Sequence, residues 1–224
     1  MDFMIINPPR VYPRRRDYQN AKRLVDIIIC IVLSPLIIPA ILLSALAVYL
    51  DSGRPIIFVQ ERIGRGGRPF HIYKFRTLKI NYHGNHFQPF MKAYIRGDVG
   101  NDKIDNGTFK PISNQHIIRV GQFMRRLSLD ELPQVLNVLK GEMSIVGPRP
   151  NVPWEVNEYR PWHYERLEVL PGITGLAQVN GRSCIVFDSL VRFDINYIEN
   201  QCLSLDIRII CQTVGSVILR KSAG

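Results

Sequence analysis

A chain of 224 residues has room for one ordinary domain and an appendage. Its net charge of +10 and pI near 9.7 point to an anionic partner: nucleic acid, an anionic membrane surface or a phosphorylated substrate. Cys30, Cys184, Cys202 and Cys211 show neither C-x-x-C pairing nor His-rich spacing, which speaks against a zinc site or a disulfide framework and fits a reducing cytoplasm.

Residues 1–20, with Pro8, Pro9, Pro13 and Arg14-Arg15-Arg16, read as an extended basic arm on a membrane surface. From Ile27 to Leu50 there is no charge, a run of about 24 residues that as helix would measure roughly 36 Å, enough to reach across a bilayer. Ser34-Pro35 and Pro39 interrupt it, and both flanks are basic: Arg14–Arg16, Lys22 and Arg23 before, Arg54, Arg62, Arg65 and Arg68 after. Positive charge on both sides suits a helix that bends at Ser34-Pro35 and re-enters; a kinked crossing helix is the alternative. Asp26, just after Lys22 and Arg23, is expected to pair with them within the helix.

Pro55–Val59 and Phe70–Phe75 are strand-like and joined by the glycine-rich turn Ile63–Arg68, a hairpin with a basic tip that lacks the ending of a Walker loop. Lys74 and Arg76 alternate along the second strand and are expected to share an anion-facing side. Residues 81–115 read as a long polar loop. The five histidines form no metal-ligand pattern.

Leu127–Pro150, LSLDELPQVLNVLKGEMSIVGPRP, is the stretch richest in chemistry. The spacing of Leu129, Leu132, Val135, Leu136 and Leu139 predicts an apolar helix face opposite Asp130, Gln134 and Asn137. Asp130 is the preferred N-cap, since Pro133 then falls at a third position whose N–H has no intrahelical partner; Ser128 is the other candidate. The helix dipole would keep Asp130 and Glu131 ionised. Lys140-Gly141 ends the helix, Met143–Val146 reads as a short strand, and Pro148-Arg149-Pro150 pins one guanidinium between two fixed φ angles, suited to a phosphate. Arg119, Arg125 and Arg126 add positive charge just before the carboxylates. Beyond the turn, Trp154–Leu170 has a helical pattern with an aromatic side, Pro171–Arg182 is a run of tight turns, and Phe187–Ile198 and Leu203–Leu219 read as helices. The last places Ile207, Ile210, Val214 and Val217 on one stripe, suited to a core or an interface.

Five stretches in order, KRLVDIIICIVLSP, VQERIGRGGRPFHIYKFRTL, the Leu127–Pro150 run, PGITGLAQVNGR and FDINYIENQCLSLDIRII, make the chain resemble the bacterial sugar transferases, monotopic phosphoglycosyl transferases acting on polyprenol phosphate. The resemblance implies an α+β protein: a re-entrant, non-spanning membrane helix (residues 21–50) and a compact, mostly helical catalytic domain (51–224) with short β-hairpins and interfacial amphipathic helices. It implies transfer of a sugar 1-phosphate from a UDP-sugar to undecaprenyl phosphate, with release of UMP. Asp130 would attack phosphorus with Glu131 beside it, and Mg²⁺ would sit against Asp130 and the diphosphate. Pro148, Arg149 and Pro150 would lie near the nucleotide, and Ser34-Pro35 would break the membrane helix. The expected location is the cytoplasmic face of the bacterial inner membrane, with membrane lipid as a partner and a homodimer left open.

A carboxylate attacking an anionic diphosphate needs its charge neutralised, for which Arg119, Arg125, Arg149 and Arg182 are candidates, with Lys74 and Arg76 from the hairpin. Ala177 and Asn114–Ile117 depart from the hexose-type pattern and leave the sugar undefined. The chain also lacks the four-helix membrane region that precedes the catalytic domain in larger members, as a stand-alone core would. The alternative function is a catalytically silent scaffold for glycan-assembly enzymes. A nucleic-acid binder ranks lowest, because no such module is recognisable.

Overall fold

The whole apolar run lies in one helix, α1 (Arg16–Ser52), in a computed structural model that describes residues 16–80, 88–98, 114–180 and 185–218. Helical structure continues through Pro35 and Pro39, so the expected interruption at Ser34-Pro35 is not a helix end. Ser34 Oγ donates back to the Ile31 carbonyl at 2.7 Å, a bond that often accompanies local bending. The helix begins at Arg16 rather than residue 21, because its first turns have tertiary partners. Tyr18 and Lys22 both donate to the Asp206 carboxylate, at 2.8 and 3.0 Å.

Both ends of α1 hold the same body. Near the start, Arg23 donates to the carbonyls of Val138 and Leu139, and buried Asp26 accepts from the Ile145 N–H at 3.3 Å. These contacts replace the expected pairing of Asp26 with Lys22 and Arg23, which does not occur among the described residues. Near the end, Val48 is buried with Phe75, Ile118 and Met124, and Asp51 accepts from the Val120 N–H at 2.9 Å. Between these anchors, Ile31, Val32, Leu36, Ile38, Leu42 and Leu43 are exposed, leaving the apolar middle without protein cover.

The predicted hairpin is present: β1 (Ile57–Ile63) pairs antiparallel with β2 (Pro69–Phe75), in register from Ile57↔Phe75 to Ile63↔Pro69. Arg76 lies one residue past β2 and does not share the Lys74 face. Its guanidinium is buried and donates to the carbonyls of Pro55, Leu78, Ser52 and Gly53 and to Ser52 Oγ. It therefore clamps the end of α1 to the hairpin.

Part of the expected 81–115 loop is a helix, α2 (Gln88–Arg96), whose Met91, Tyr94 and Ile95 recur at helical spacing; Ile95 is fully buried. Lys92 and Arg96 pair with Glu158 at 3.2 and 2.6 Å, and Tyr94 donates to the Ile185 carbonyl at 2.6 Å. Then come α3 (Arg119–Arg126), a 3₁₀ turn (Leu129–Gln134) and α4 (Val135–Lys140), stopped as expected at left-handed Gly141. The predicted strand is β3 (Ser144–Val146).

Within the run expected to be all turns, Gly172–Thr174 forms β4, which pairs parallel with β3. Glycine allows this. A Cβ on Gly172 would fall 2.7 Å from the Gly147 Cα and against its nitrogen, so the two backbones touch. The expected helix over 154–170 is instead α5 (Pro153–Val156) and a 3₁₀ turn (Pro161–Leu167), since Pro161 cannot continue the first. Its rings pack inward: Tyr159, His163 and Phe187 stack edge-on in the core. The chain continues through α6 (Leu176–Asn180), α7 (Phe187–Asn200) and α8 (Leu203–Ile218). The three cysteines among the described residues are free.

Arg76→Ala should destabilise the protein by ~3 kcal/mol or more, because several acceptors lose a buried donor. Thermal unfolding and protease sensitivity in detergent will show it, whereas an unchanged melt with only weaker substrate binding would return Arg76 to an anion-binding role.

Candidate active site

The acidic pair does not start an α-helix. Leu129–Gln134 is a 3₁₀ turn with Ser128 before it in the left-handed region (φ 55°), and no side chain caps it. Asp130 is therefore its second residue, not an N-cap, and Pro133 its fifth. The face assignment holds for Leu129, Leu132 and Val135, which pack against the core, and fails further along. Gln134 and Asn137 are buried, while Leu136 and Leu139 are 52% and 45% exposed. Asn137 is drawn inward by unmet backbone groups of β2: its Oδ1 accepts from the Tyr73 N–H at 3.2 Å and its Nδ2 donates to the His71 carbonyl at 2.7 Å.

That stitch brings Lys74 against the turn. Lys74 Nζ lies 2.7 Å from Glu131 Oε1, and Arg149 Nη1 lies 3.5 Å from the same oxygen. The arginine turn is gripped by two other arginines. Arg62 donates to the Pro150 carbonyl at 3.0 Å, and Arg166 donates to the Arg149 carbonyl at 3.1 Å while facing Asp194 at 2.6 Å. Sequence reasoning passed over both. The Arg62 signal was its place inside VQERIG, ahead of the hairpin tip; Arg166 carried none beyond being a charge in an otherwise aromatic stretch.

These groups line a cavity of about 650 Å³. Among the predicted residues it brings together Lys74, Arg125, Asp130, Glu131, Arg149 and Pro150. Pro148 is buried at the start of the turn, and Arg119 is exposed on α3; neither lines the cavity. Arg76 is held in its carbonyl cage, and Arg182 lies outside the described residues. Arg125 donates to Thr77 Oγ1 at 3.0 Å, which aims α3 at the cavity.

A family model described as bacterial sugar transferase matches residues 17–220. The chain belongs to that family. Similar curated proteins include the UDP-galactose-lipid carrier transferase of Erwinia amylovora, 37% identical over 203 residues, covering 90% of this chain and 41% of the relative. The UDP-glucose:undecaprenyl-phosphate glucose-1-phosphate transferase of Caulobacter vibrioides is 36% identical over 210 residues, covering 90% of this chain and 71% of the relative. The uncharacterized sugar transferase EpsL of Bacillus subtilis is 36% identical over 198 residues, at 88% and 87% coverage. The chain thus spans about two fifths of the length of some relatives and most of the length of others.

In this sugar transferase the two carboxylates are electrostatically unlike. Burial pushes Glu131 up, but the Lys74 and Arg149 cations outweigh it and hold the carboxyl at about 2. Asp130 moves the other way: burial and the neighbouring Glu131 charge raise it, against weaker pulls from Lys74 and Arg125. The cations set the state of Glu131, whereas burial and the Glu131 charge set that of Asp130. Asp130 makes no salt bridge among the described residues, so its oxygens face the cavity while Glu131 is held.

Because Glu131 lies at about 2 against an ordinary 4.5, its pairing stabilises the fold above about pH 4.5, and that contribution disappears as pH falls toward 2. Lys74→Met should therefore lower the thermal midpoint most at neutral pH, with the gap to wild type closing across the acid window. A gap of constant size down to the acid limit would show that the pair does not depress Glu131.

Proposed function

We propose that this chain is a phosphoglycosyl transferase that moves a sugar 1-phosphate from a UDP-sugar to undecaprenyl phosphate and releases UMP. The observation that carries this reading is the unlike pair: an Asp130 with no ion pair among the described residues beside a doubly held Glu131, in a cavity lined by Lys74, Arg62, Arg125 and Arg149. The printed names of the Erwinia and Caulobacter relatives agree on a sugar moved to a lipid carrier, and they disfavour a silent scaffold.

In the first half-reaction an Asp130 oxygen attacks the phosphorus bonded to the sugar; the new Oδ–P bond forms as the bond to the UMP oxygen breaks. Lys74 and Arg149 keep Glu131 anionic and still, so that it positions its neighbour without competing as a nucleophile. Arg149, 52% exposed and fixed through its backbone by Arg166, is placed to meet a phosphate. In the second half-reaction a lipid phosphate oxygen attacks the same phosphorus, and the Asp130 carboxylate is restored.

No cluster of three metal-binding side chains occurs among the described residues, and Glu131 is occupied by cations. A Mg²⁺ held by one carboxylate and substrate phosphates fits this donor set, with Asp130 as the protein ligand. Such an ion would neutralise charge on the diphosphate.

The membrane reading rests on α1. Its ends hold one body while its apolar middle is bare, and Pro35 and Pro39 lie in that middle, which supports a bent helix dipping into one leaflet. On this reading the basic flanks favour the cytoplasmic face of the inner membrane for the catalytic body.

Incubated with donor labelled in the sugar-linked phosphate, and with no lipid acceptor, the wild type should retain label and release one equivalent of UMP, while Asp130→Asn does neither. Labelling that survives Asp130→Asn would remove the nucleophile. For topology, cysteines placed at Arg10 and Gln60 should both be shielded from an impermeant thiol reagent in intact cells; modification of one alone would mean that α1 crosses the membrane.

A further inference from the structure

Only part of the apolar stripe of α8 packs inward: Ile210 lies against the core with Leu205. Ile209 is fully buried in the core beside Tyr197 and Val146, and Thr213 meets Thr174 Oγ1 at 2.7 Å. The stripe residues Ile207 and Val214 are instead 57% and 51% exposed. Val217, one turn beyond Val214, lines the large cavity together with Thr213. The stripe therefore climbs from open surface to the cavity wall.

Inside, the apolar surface continues. Leu190, Met91, Val135 and Ile173 line the same space as Val217, whereas Lys74, Arg62, Arg125 and Arg149 line it beside Asp130. One cavity thus presents cationic and apolar side chains together.

We propose that the stripe from Ile207 through Val217 is a track for the hydrocarbon end of the acceptor, a long-chain prenyl phosphate, with its first units against Val217 and Leu190 and its phosphate among the cations. This rests on the phosphoglycosyl transferase reading. A nucleoside diphosphate sugar has no hydrocarbon to cover the apolar lining, while a prenyl phosphate matches both kinds of lining at once. Bilayer acyl chains would account for Ile207 and Val214 but not for Val217, which lies in the cavity. The chemistry balances without a further reactant: an acceptor phosphate oxygen bonds to the phosphorus carried by Asp130, the Asp130 Oδ–P bond breaks, and its electron pair returns to the carboxylate.

The two half-reactions separate the test. Val217→Asn, with Val217→Ala as a milder partner, should leave the lipid-free burst of UMP within about twofold of wild type, since the donor does not need the track. Discharge of the labelled enzyme to undecaprenyl phosphate should slow by roughly tenfold for Val217→Asn, as a polar group enters an apolar contact. Discharge to geranyl phosphate, too short to occupy the stripe, should slow far less, and Val214→Asn should likewise narrow the preference for the longer acceptor.

Equal slowing with both acceptors, or an unchanged chain-length preference, would overturn the track. Weaker liposome co-sedimentation of Val214→Asn with an intact preference would assign the stripe to the bilayer, and a smaller particle mass with an intact preference would assign it to a second copy. Absence of any burst from the wild type would instead sink the transferase reading, an outcome separate from a normal burst with flat acceptor dependence.

Discussion

The active-site architecture depends on one shared oxygen. Glu131 Oε1 is met by Lys74 from the β-hairpin and by Arg149 from the turn after β3, so three segments distant in sequence are fixed relative to one another. Half-buried like charges would repel, and Lys74 and Arg149 approach only because an anion lies between them. With that charge consumed, the adjacent Asp130 keeps its oxygens for the cavity. A second layer of arginines supports the first: Arg62 and Arg166 bind carbonyls of the turn, and Arg166 in turn faces buried Asp194.

The membrane helix and the catalytic chemistry are joined through the same hairpin. Arg76 ties the last residues of α1 to the end of β2, two residues from Lys74. At the other end Asp206 receives Tyr18, Lys22 and Tyr197 together, binding the first turns of α1 to α7 and α8. The helix is thus part of the body's packing while its apolar middle stays uncovered, and Asp26 and Val48 are buried residues of it.

Much of this was legible in the sequence where local rules decide. The hairpin followed from two β-rich runs around glycines, the end of α4 from Lys140-Gly141, and the site from a carboxylate pair followed by a rigid arginine. What failed was decided by tertiary partners. The apolar spacing of Leu129–Leu139 called for an inward leucine face, yet Asn137 turned inward because β2 offered it an N–H and a carbonyl, and Leu136 and Leu139 turned out. Arg76 and Lys74 share a parity in sequence, but the strand ends between them. The α8 stripe was right in part: Ile210 packs against the core beside buried Ile209, while Ile207 and Val214 stay exposed. Gly172–Thr174 looked like a turn because three residues carry too little pattern to reveal a strand that forms only against Gly147.

The Gly147–Gly172 contact gives the cavity lining at Ile173 and Thr174 a rigid backing that the rest of the lining does not share. Where main chain lies directly on main chain, spacing is dictated by atomic radii, with no rotamer available to relax it. The arginine turn springs from that rigid seam. The lining from α2 and α8 stands on side chains such as Met91, Tyr94 and Val217, whose torsions can adjust. A nucleotide phosphate would meet the unyielding seam and the hydrocarbon of an acceptor the compliant side chains, so a single chamber can demand strict geometry at phosphorus while yielding to a flexible chain.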